Sequence, residues 1–369
     1  SPPSKTAVRN FYTVSFEDDV DASNICNYFI VQAIHFGRTG AVIGFILPKS
    51  ISYVSSYGKT RDFVTGRGDL TLLADCGVAF KDVGLEQILL TFCSSRKKDS
   101  QTQVGYFEEQ VFVPLGPRSA NVWRERGFWE IHLTPERMRI AEAIEKQGTP
   151  LSQLCSPNGG IFRGLGLQSK KALHSDAANG AAIRVLGGKN ITSYVVWDEV
   201  DEPYIYANSA HPELAADNAF ARQLTHRIAL KNISSSIIKI EATLLDPRSI
   251  TLDTITNVVL SDDCGYPYDY VLGFMNSRIS NWYMKWVVFN RSVLTMHFDA
   301  DYVGRLPIPV FVGAPWQAEV AALARELMSI PVRKFRKGVT NIDETHGNLL
   351  RRIDDIIAEN IAVPLAVLD

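Results

Sequence analysis

The chain has 369 residues, of which 46% are hydrophobic and 21% charged, so its composition suits a folded protein with about two domains. A formal net charge of -2 excludes a uniformly basic protein, but duplex DNA binding needs only a basic face. The sequence contains no apolar run of the ~18 residues that a membrane helix needs, and its first residues show no signal segment. We therefore expect a cytoplasmic protein with no membrane partner.

Five cysteines are scattered along the chain without a CxxC pair or a neighbouring histidine cluster. This spacing favours buried free thiols over a zinc site or a disulfide framework. The seven histidines are also isolated from one another, and none pairs with a second ligand at metal spacing. The sequence therefore predicts no metal site.

The first third of the chain follows an α/β pattern. Residues 24–36 predict an amphipathic helix with one apolar face, formed by Ile25, Tyr28, Phe29, Gln32 and Phe36. The run 41–48 is almost wholly apolar, which is typical of a strand covered on both faces in a mostly parallel sheet. A helix at 57–64 and buried strands at 70–75 and 86–93 follow. This order predicts the closing portion of a doubly wound domain whose opening portion is missing.

A helix is predicted at Pro135–Lys146, with Thr134 as its N-cap, and the sequence pattern changes after it. From residue 160 onward, short β-branched strands alternate with Gly, Asn, Asp and Pro. They are expected at 182–188, 192–197, 204–207, 235–242 and 257–262. One long helix is predicted over Tyr268–Val288, and further helices over 316–328 and 348–360.

Short motifs occur in a fixed order along nearly the whole chain. In the first half they are Asn24–Ile34, Gly37–Pro48, Lys49–Phe63 and Cys76–Leu90. In the second half they are Ile161–Leu167, Val185–Ile191, Leu272–Arg278, Val303–Pro307 and Leu350–Ala358. Each motif is short and tolerant, so the ordered series carries the argument. It resembles the C-terminal half of the gamma-class, TaqI-type adenine-N6 DNA methyltransferases of restriction–modification and phage-defence systems.

The resemblance implies a fold and a division into domains. The fold class would be α/β, a partial Rossmann-like methyltransferase sheet, followed by an α+β target-recognition domain and C-terminal helices. Residues 1–135 would be the C-terminal part of the catalytic domain, and residues 136–312 the target-recognition domain. Residues 313–369 would form a C-terminal helical segment. Such a protein would be bacterial or archaeal, with double-stranded DNA as its partner.

The chain departs from the family at both catalytic motifs. The glycine-rich S-adenosylmethionine loop is absent from the sequence, and so is the tetrapeptide Asn-Pro-Pro-Tyr. The nearest match to the tetrapeptide is Ser1, Pro2, Pro3 and Ser4, which is either a degenerate catalytic motif or a chance pair of prolines. S-adenosylmethionine is therefore expected in the complete enzyme, with none bound by this chain alone.

The recognition domain offers side chains that can contact base edges or phosphates. The candidate DNA-binding residues are Arg163, Gln168, Lys170, Lys189, Asn190, Lys231, Asn232 and Arg291. Alternatives stay open, because 189–190 also fits a simple turn and 231–232 a solvated strand end. Asn276 and Ser277 are expected to make structural hydrogen bonds within the helical stretch.

Three hypotheses follow from these features. The chain is the C-terminal part of a larger methyltransferase that needs the missing N-terminal region for catalysis. Alternatively, it is a non-catalytic DNA-specificity subunit that works beside a second chain carrying the cofactor site. The third hypothesis is that the chain is a degenerate scaffold of a defence complex. Whether the chain itself is an enzyme stays open at this point.

Overall fold

The computed structural model describes residues 24–157, 159–166, 173–174, 182–199, 205–209, 211–234, 237–330, 333–334 and 344–368. They fall into two compact units, of which the first ends at Met138 and also contains Phe289–Leu294. The second comprises Arg139–Val288 and the chain from Thr295 onward. The mixed α/β architecture is confirmed. The functional domain boundaries at 135 and 312 stay predictions.

The first unit is built around one five-stranded sheet. Its elements in chain order are α1 (Ile25–Phe36), β1 (Val42–Pro48), α2 (Gly58–Arg67), β2 (Asp69–Gly77), β3 (Gln87–Cys93), β4 (Gln101–Glu108), β5 (Val111–Ser119) and α3 (Asn121–Arg126). The first turn of α4 (Pro135–Gln147) also belongs to this unit, and the rest of that helix belongs to the second. The strand order is β1-β3-β2-β4-β5. Among these strands only β2 and β4 pair in parallel, so the prediction of a mostly parallel sheet was wrong for the described part.

The apolar strand β1 lies at the edge of this sheet among the described strands, and not in its middle. Val42 and Ile46 on its outer side are 70% and 52% exposed. The helix α1 is also oriented differently from the prediction, because Phe29 and Phe36 of the expected core face are exposed. Its buried face instead includes Val31 and other side chains between positions 27 and 34. The helix is apolar on both faces, so periodicity alone could not identify the core side.

The helix α4 begins where its capping residue predicts. Thr134 Oγ1 accepts a hydrogen bond from the backbone N–H of Arg137 at 3.3 Å, and Pro135 occupies the first helical position. Such a cap satisfies one of the otherwise unpaired N–H groups of the first turn. The predicted helix and its N-cap are confirmed.

The second unit contains two four-stranded sheets with helices packed on them. Its strands are β6 (Gly148–Pro150), β7 (Ile161–Arg163), β8 (Leu173–His174), β9 (Ala182–Leu186), β10 (Ile191–Thr192), β11 (Val195–Val196), β12 (Asp198–Glu199), β13 (Ile205–Asn208), β14 (Arg227–Lys231), β15 (Ile233–Ser234), β16 (Ala242–Leu245), β17 (Ser249–Thr251), β18 (Ile255–Val258), β19 (Met296–His297), β20 (Pro307–Pro309) and β21 (Arg333–Lys334). One sheet has the order β17-β9-β13-β8 and the other β16-β14-β18-β7. The strand predicted at 235–242 is not formed, since residues 237–241 lie outside any strand.

The helices of the second unit pack mainly on one another and on the β16 sheet. They are α5 (Leu151–Leu154), α6 (Pro212–Ala215), α7 (Asn218–Arg222), α8 (Tyr268–Met275), α9 (Arg278–Tyr283), α10 (Ala300–Val303), α11 (Pro315–Ser329) and α12 (Glu344–Asn360), with a π-helical turn at Met284–Val288. The two C-terminal helices are confirmed close to their predicted bounds. Within the described ranges, every helix is too short or too polar to cross a lipid bilayer.

The long helix predicted over Tyr268–Val288 is broken at Asn276 and Ser277. Ser277 Oγ accepts from the backbone N–H of Ser280 at 3.2 Å and so starts α9 as a new helix. The Asn276 amide binds the backbone of Ala242 twice, through its oxygen and its nitrogen, at 3.0 Å each. The structural role expected for both residues is confirmed. Side-chain bonds to the backbone compete with the helical ladder, which explains the break.

Asp354 on α12 is a buried carboxyl that should make stability depend on pH. Burial raises its pKa to about 6, although the backbone N–H of Arg278 donates to it at 2.8 Å. The unfolded carboxyl titrates near 4, so the folded state loses stability as pH rises from about 4 to about 6.

We predict that Asp354→Asn raises the melting temperature by several degrees at about pH 8, equivalent to at most about 3 kcal/mol, and leaves it unchanged at about pH 4. The amide oxygen can still accept from Arg278, so only the buried charge is removed. Thermal unfolding followed by circular dichroism at both pH values measures this. The exposed neighbour Asp355→Asn is the control, and an equal effect of both substitutions would refute the assignment to burial.

Candidate nucleic-acid interface

Five of the eight candidate DNA-binding residues lie at strand ends of the second unit. Arg163 ends β7, the turn 187–190 follows β9, and Lys231 ends β14. These positions belong to five neighbouring segments, 163–166, 187–190, 231–232, 252–254 and 297–299, which we call the strand-end loops.

Thr254 joins three of the strand-end loops. Its Oγ1 accepts a hydrogen bond from the backbone N–H of Gly188 at 3.0 Å, and its carbonyl accepts from the N–H of Asn232 at 2.9 Å. The next residue, Ile255, pairs with Lys231 across β18 and β14. The structure thus brings the 187–190 turn beside the end of β14.

Asp299 joins the remaining two loops to this group. It accepts from Arg163 through both carboxylate oxygens, at 2.6 and 2.8 Å, and from the Asn232 amide nitrogen at 2.8 Å. The Asn232 amide oxygen lies 2.6 Å from His297 Nδ1. Burial opposes ionisation of Asp299, but the hydrogen bonds from Arg163 and Asn232 outweigh it and lower the pKa. Asp299 is therefore ionised at neutral pH and holds the loops together.

The two asparagines of the set are buried. Asn232 is fully buried, and its amide also donates to Thr256 Oγ1 at 2.9 Å. Asn190 is nearly buried, and its side-chain oxygen accepts from the N–H of Gly187 at 2.8 Å, which closes the turn. Both side chains bond within the protein and shape the loops. Their part in DNA binding stays a prediction, and the burial favours an indirect role in which they hold the loops in place.

The cations of the set are more accessible. The Arg163 side chain is 43% exposed, and Lys189 is exposed at the tip of its turn. Lys231 forms a part-buried ion pair with Glu241 at 2.6 Å, and Glu241 also accepts from Thr192 Oγ1 at 2.7 Å. These three side chains can reach a ligand from solvent if their present partners are exchanged.

Gly164 allows two strand-end loops to approach closely. A Cβ atom added there would lie 2.3 Å from the carbonyl oxygen of Thr251 and 2.4 Å from that of Leu252. Real Cβ contacts are never this short, so any other residue would push the loop with Arg163 away from β17.

Two candidates and the tetrapeptide cannot be placed. Gln168, Lys170 and the segment Ser1, Pro2, Pro3 and Ser4 lie outside the described residues. Among the residues that are described, no group of three or more His, Cys, Asp or Glu side chains could hold a metal ion.

Arg291 belongs to the first unit, in the segment Phe289–Leu294. Asn290 and Arg291 both have positive φ angles, 50° and 56°, which cost side-chain-bearing residues of the order of 1 kcal/mol each. The fully buried Asn290 amide nitrogen donates to Ser52 Oγ at 2.8 Å and to the Trp129 carbonyl at 3.0 Å. These bonds hold the unusual conformation.

A buried charge network also holds the segment Phe289–Leu294 in place. The Lys49 ammonium contacts Asp75 Oδ2 at 2.7 Å and Glu86 Oε1 at 3.0 Å, and donates to the Arg291 carbonyl at 3.3 Å. Ser292 donates to Glu86 as well. Lys49 is 1% exposed, and such a charge is tolerated only with close partners.

His132 completes this network. Its Nε2 lies 2.6 Å from Asp75 Oδ2, and burial lowers the pKa of the ring despite that hydrogen bond. Burial also opposes the ionisation of Asp75, but the hydrogen bond from His132 and the charge of Lys49 lower the pKa of Asp75. A neutral imidazole that donates through Nε2 to an ionised Asp75 is the consistent arrangement.

This network was not predicted from the sequence, although three of its charged residues stand at the ends of apolar runs. Lys49 follows the apolar run 41–48 directly, Asp75 ends the run 70–75, and Glu86 begins the run 86–93. Charged residues at the ends of buried strands are costly unless they meet partners of opposite sign. Their common location was not recognisable without the sheet order.

We predict that Asn232→Ala lowers the free energy of unfolding by about 1–3 kcal/mol, because it removes a fully buried amide that donates to the buried Thr256 hydroxyl and to Asp299. Lys189→Ala, at an exposed position, should change it by less than about 0.5 kcal/mol. Urea unfolding of both variants measures the difference. Equal stabilities would show that Asn232 does not hold the loops.

The second unit matches a known family. Residues 183–308 match the family described as the TaqI-like C-terminal specificity domain. This confirms the resemblance deduced from the sequence, and the motif segments Val185–Ile191, Leu272–Arg278 and Val303–Pro307 lie inside the match. No curated protein matches the chain.

Solved structures of three restriction enzymes match this chain, and the TM-score of one of them, MmeI, exceeds 0.5. The Type IIL restriction-modification enzyme MmeI, in complex with DNA, is similar over 99% of this chain and 52% of that chain, at 10% identity and a TM-score of 0.60. The DrdV–DNA complex matches over 88% and 41%, at 11% identity and a TM-score of 0.44. The type IIG restriction endonuclease BpuSI matches over 97% and 52%, at 11% identity and a TM-score of 0.37. The chain therefore spans about half the length of these proteins or less, and the likeness to MmeI concerns the fold alone.

Proposed function

We propose that the strand-end loops bind double-stranded DNA and read its base sequence for a site-specific adenine-N6 DNA methyltransferase. The observation that carries this proposal is the match of residues 183–308 with a specificity domain. Four of the five strand-end loops lie inside the matched range. The DNA complex of MmeI supports the same partner class.

The accessible cations are the groups that would meet the duplex first. Arg163 has the planar fork that binds guanine O6 and N7 or a phosphate in bidentate fashion. Lys189 and Lys231 are suited to phosphates, which position a protein on DNA without specifying sequence. Asn190 and Asn232 hold the loops in shape, and Gln168 and Lys170 stay candidates for direct contact.

Binding requires these cations to exchange their present partners. The Arg163–Asp299 pair is 43% and 36% exposed, and ion pairs at such sites contribute roughly 0–1 kcal/mol. A guanine edge or a phosphate can therefore replace Asp299 at little cost. Asp299 keeps its hydrogen bond from Asn232 when Arg163 leaves, so the loops stay together.

The methyl donor of the resembled family is S-adenosylmethionine, which supplies an activated methyl group when bound. The glycine-rich segments of the second unit do not fit a cofactor cradle, because Gly164 packs on Thr251 and Gly188 on Thr254. We infer that the complete enzyme holds the donor elsewhere, on a further part of the protein or on a second chain. The described residues account for recognition and not for methyl transfer.

Exposed apolar surface on the first unit supports the need for such a further part. Ile25, Phe29 and Phe36 of α1 are 51%, 59% and 85% exposed, and the outer edge of β1 is unpaired among the described strands. Unpaired strand edges beside apolar side chains are normally covered in a native protein. Additional strands of a catalytic domain would cover both.

A non-catalytic specificity subunit, or a scaffold in a defence complex, is the second candidate. The departure of the segment Ser1–Ser4 from Asn-Pro-Pro-Tyr favours it. The two candidates differ in the reading frame of the gene. A continuous frame that encodes the glycine-rich loop and the tetrapeptide would select the methyltransferase.

We predict no binding of S-adenosylmethionine by this chain alone in isothermal titration calorimetry. The physical reason is that the sequence contains no glycine-rich cofactor loop, and that Gly164 and Gly188 pack against Thr251 and Thr254. A dissociation constant in the micromolar range would contradict the inference that the donor site lies elsewhere. The control is the complete enzyme under the same conditions.

We predict duplex DNA binding that weakens steeply with salt, because each phosphate contact contributes a slope of about -0.9 in log K against log salt. Fluorescence anisotropy with a random-sequence duplex between about 50 and 200 mM salt measures it. Selection from a duplex library then tests base reading, and enrichment of no sequence would refute the specificity function.

Two variants assign this binding to the strand-end loops. Lys189→Glu should weaken duplex binding about tenfold and lower the salt slope by about one. At position 231 the neutral Lys231→Gln is preferable, because a new acidic group would face Glu241. Wild-type affinity in both variants would remove these loops from the interface.

A further inference from the structure

Two arginines of the first unit converge on one tyrosine and one histidine. The Arg291 guanidinium lies over the ring of Tyr106, 5.5 Å from its centroid. The Tyr106 and His132 rings are 6.0 Å apart, and Arg137 Nη1 donates to the His132 carbonyl at 3.1 Å. Arg291 is exposed, and Arg137 and Tyr106 are half-buried, so the group opens to solvent.

The two positive charges are close enough to affect each other. Burial first, and then the charge of Arg291, lowers the pKa of Arg137, while the neighbouring Glu136 acts in the opposite direction. An anion in contact with both guanidinium groups would be attracted by both charges.

The backbone of Arg291 is fixed in a costly conformation, which argues that its position matters. Asn290 and Arg291 have left-handed φ angles, and the buried Asn290 amide and the Lys49 ammonium hold the segment in place. An arginine that is held by its backbone loses less freedom when it binds a ligand. Fixed residues in sparsely populated conformations cluster at functional sites.

We propose that Arg137, Arg291 and Tyr106 form a phosphate-binding site that takes one phosphodiester of the DNA backbone. This inference rests on the proposed function for the identity of the ligand, but the site itself is separate from the strand-end loops. Two guanidinium groups offer the planar donor pairs that match phosphate oxygens, and the tyrosine hydroxyl offers one more donor. The contact would position the first unit on the duplex without reading sequence.

The site can be tested without DNA, by using inorganic phosphate as the probe. Phosphate should raise the melting temperature of the wild type by a few degrees relative to chloride at matched ionic strength. Phosphate also stabilises proteins generally, so the comparison is with the double variant Arg137→Gln/Arg291→Gln. The double variant should lose the extra rise, whereas Lys98→Gln, an exposed charge of the same unit, should keep it.

The DNA arm uses a duplex of arbitrary sequence and the same variants. If both arginines hold one phosphate, each single glutamine variant should weaken binding about tenfold, and the double variant little more. The salt slope should fall by about one in the double variant. Lys98→Gln should change affinity less than twofold. The double variant Arg137→Lys/Arg291→Lys keeps the charges but not the planar donor pairs, so it should also lose most of the affinity for DNA. It replaces the glutamine variants in the test if these fold poorly.

Each outcome decides the proposal. Equal phosphate responses of the wild type and the double variant would overturn the site. A phosphate response with unchanged duplex binding would overturn the DNA backbone as its ligand and favour a free phosphate compound. Fully additive losses from the two single variants would show two independent surface charges. If the wild type does not bind duplex DNA at all, the proposed function fails, and the phosphate response alone then reports on the site.

Discussion

The Lys49 ammonium is enclosed in the first unit, and two carboxylates and a backbone carbonyl surround it. Each of these partners comes from a different part of the chain: Asp75 from β2, Glu86 from the position just before β3, and the carbonyl from Arg291. A buried charge without partners would cost several kcal/mol, so the network forces these segments to meet. The left-handed segment around Asn290 supplies one of these partners, the Arg291 carbonyl, so Lys49 also stabilises that segment.

The strand-end loops of the second unit follow the same rule in a more exposed setting. Asp299 and Thr254 are the common partners there, and they add to the backbone hydrogen bonds that join the same loops. The difference is exposure, because the Arg163–Asp299 pair lies in contact with solvent and contributes little. The first network is suited to fixing a backbone, and the second to exchanging a partner for a ligand.

Features that depend on neighbouring residues were predicted well from the sequence. Contacts between segments that are distant in sequence were predicted poorly. Helix α4 was identified from Thr134 and Pro135, because a cap acts within one turn. The edge position of β1 and the break at Asn276 depend on partners that are distant in sequence, such as Ala242. For the candidate site, the loops that carry Arg163, Lys189 and Lys231 were identified, but their mutual contacts through Thr254 and Asp299 were not. Periodicity contains no information on such contacts.

A net charge of -2 is compatible with a DNA-binding function once these pairs are considered together. Arg163 and Lys231 each have a carboxylate partner in the free protein, so in the proposed function DNA would have to displace these carboxylates. Such pairing weakens the attraction to arbitrary polyanions. A ligand then binds well only if its own acceptors are placed to replace the carboxylates. The site that we propose at Arg137 and Arg291 would bind a phosphate whatever the sequence. A protein with both kinds of site could separate positioning on the backbone from reading of the bases.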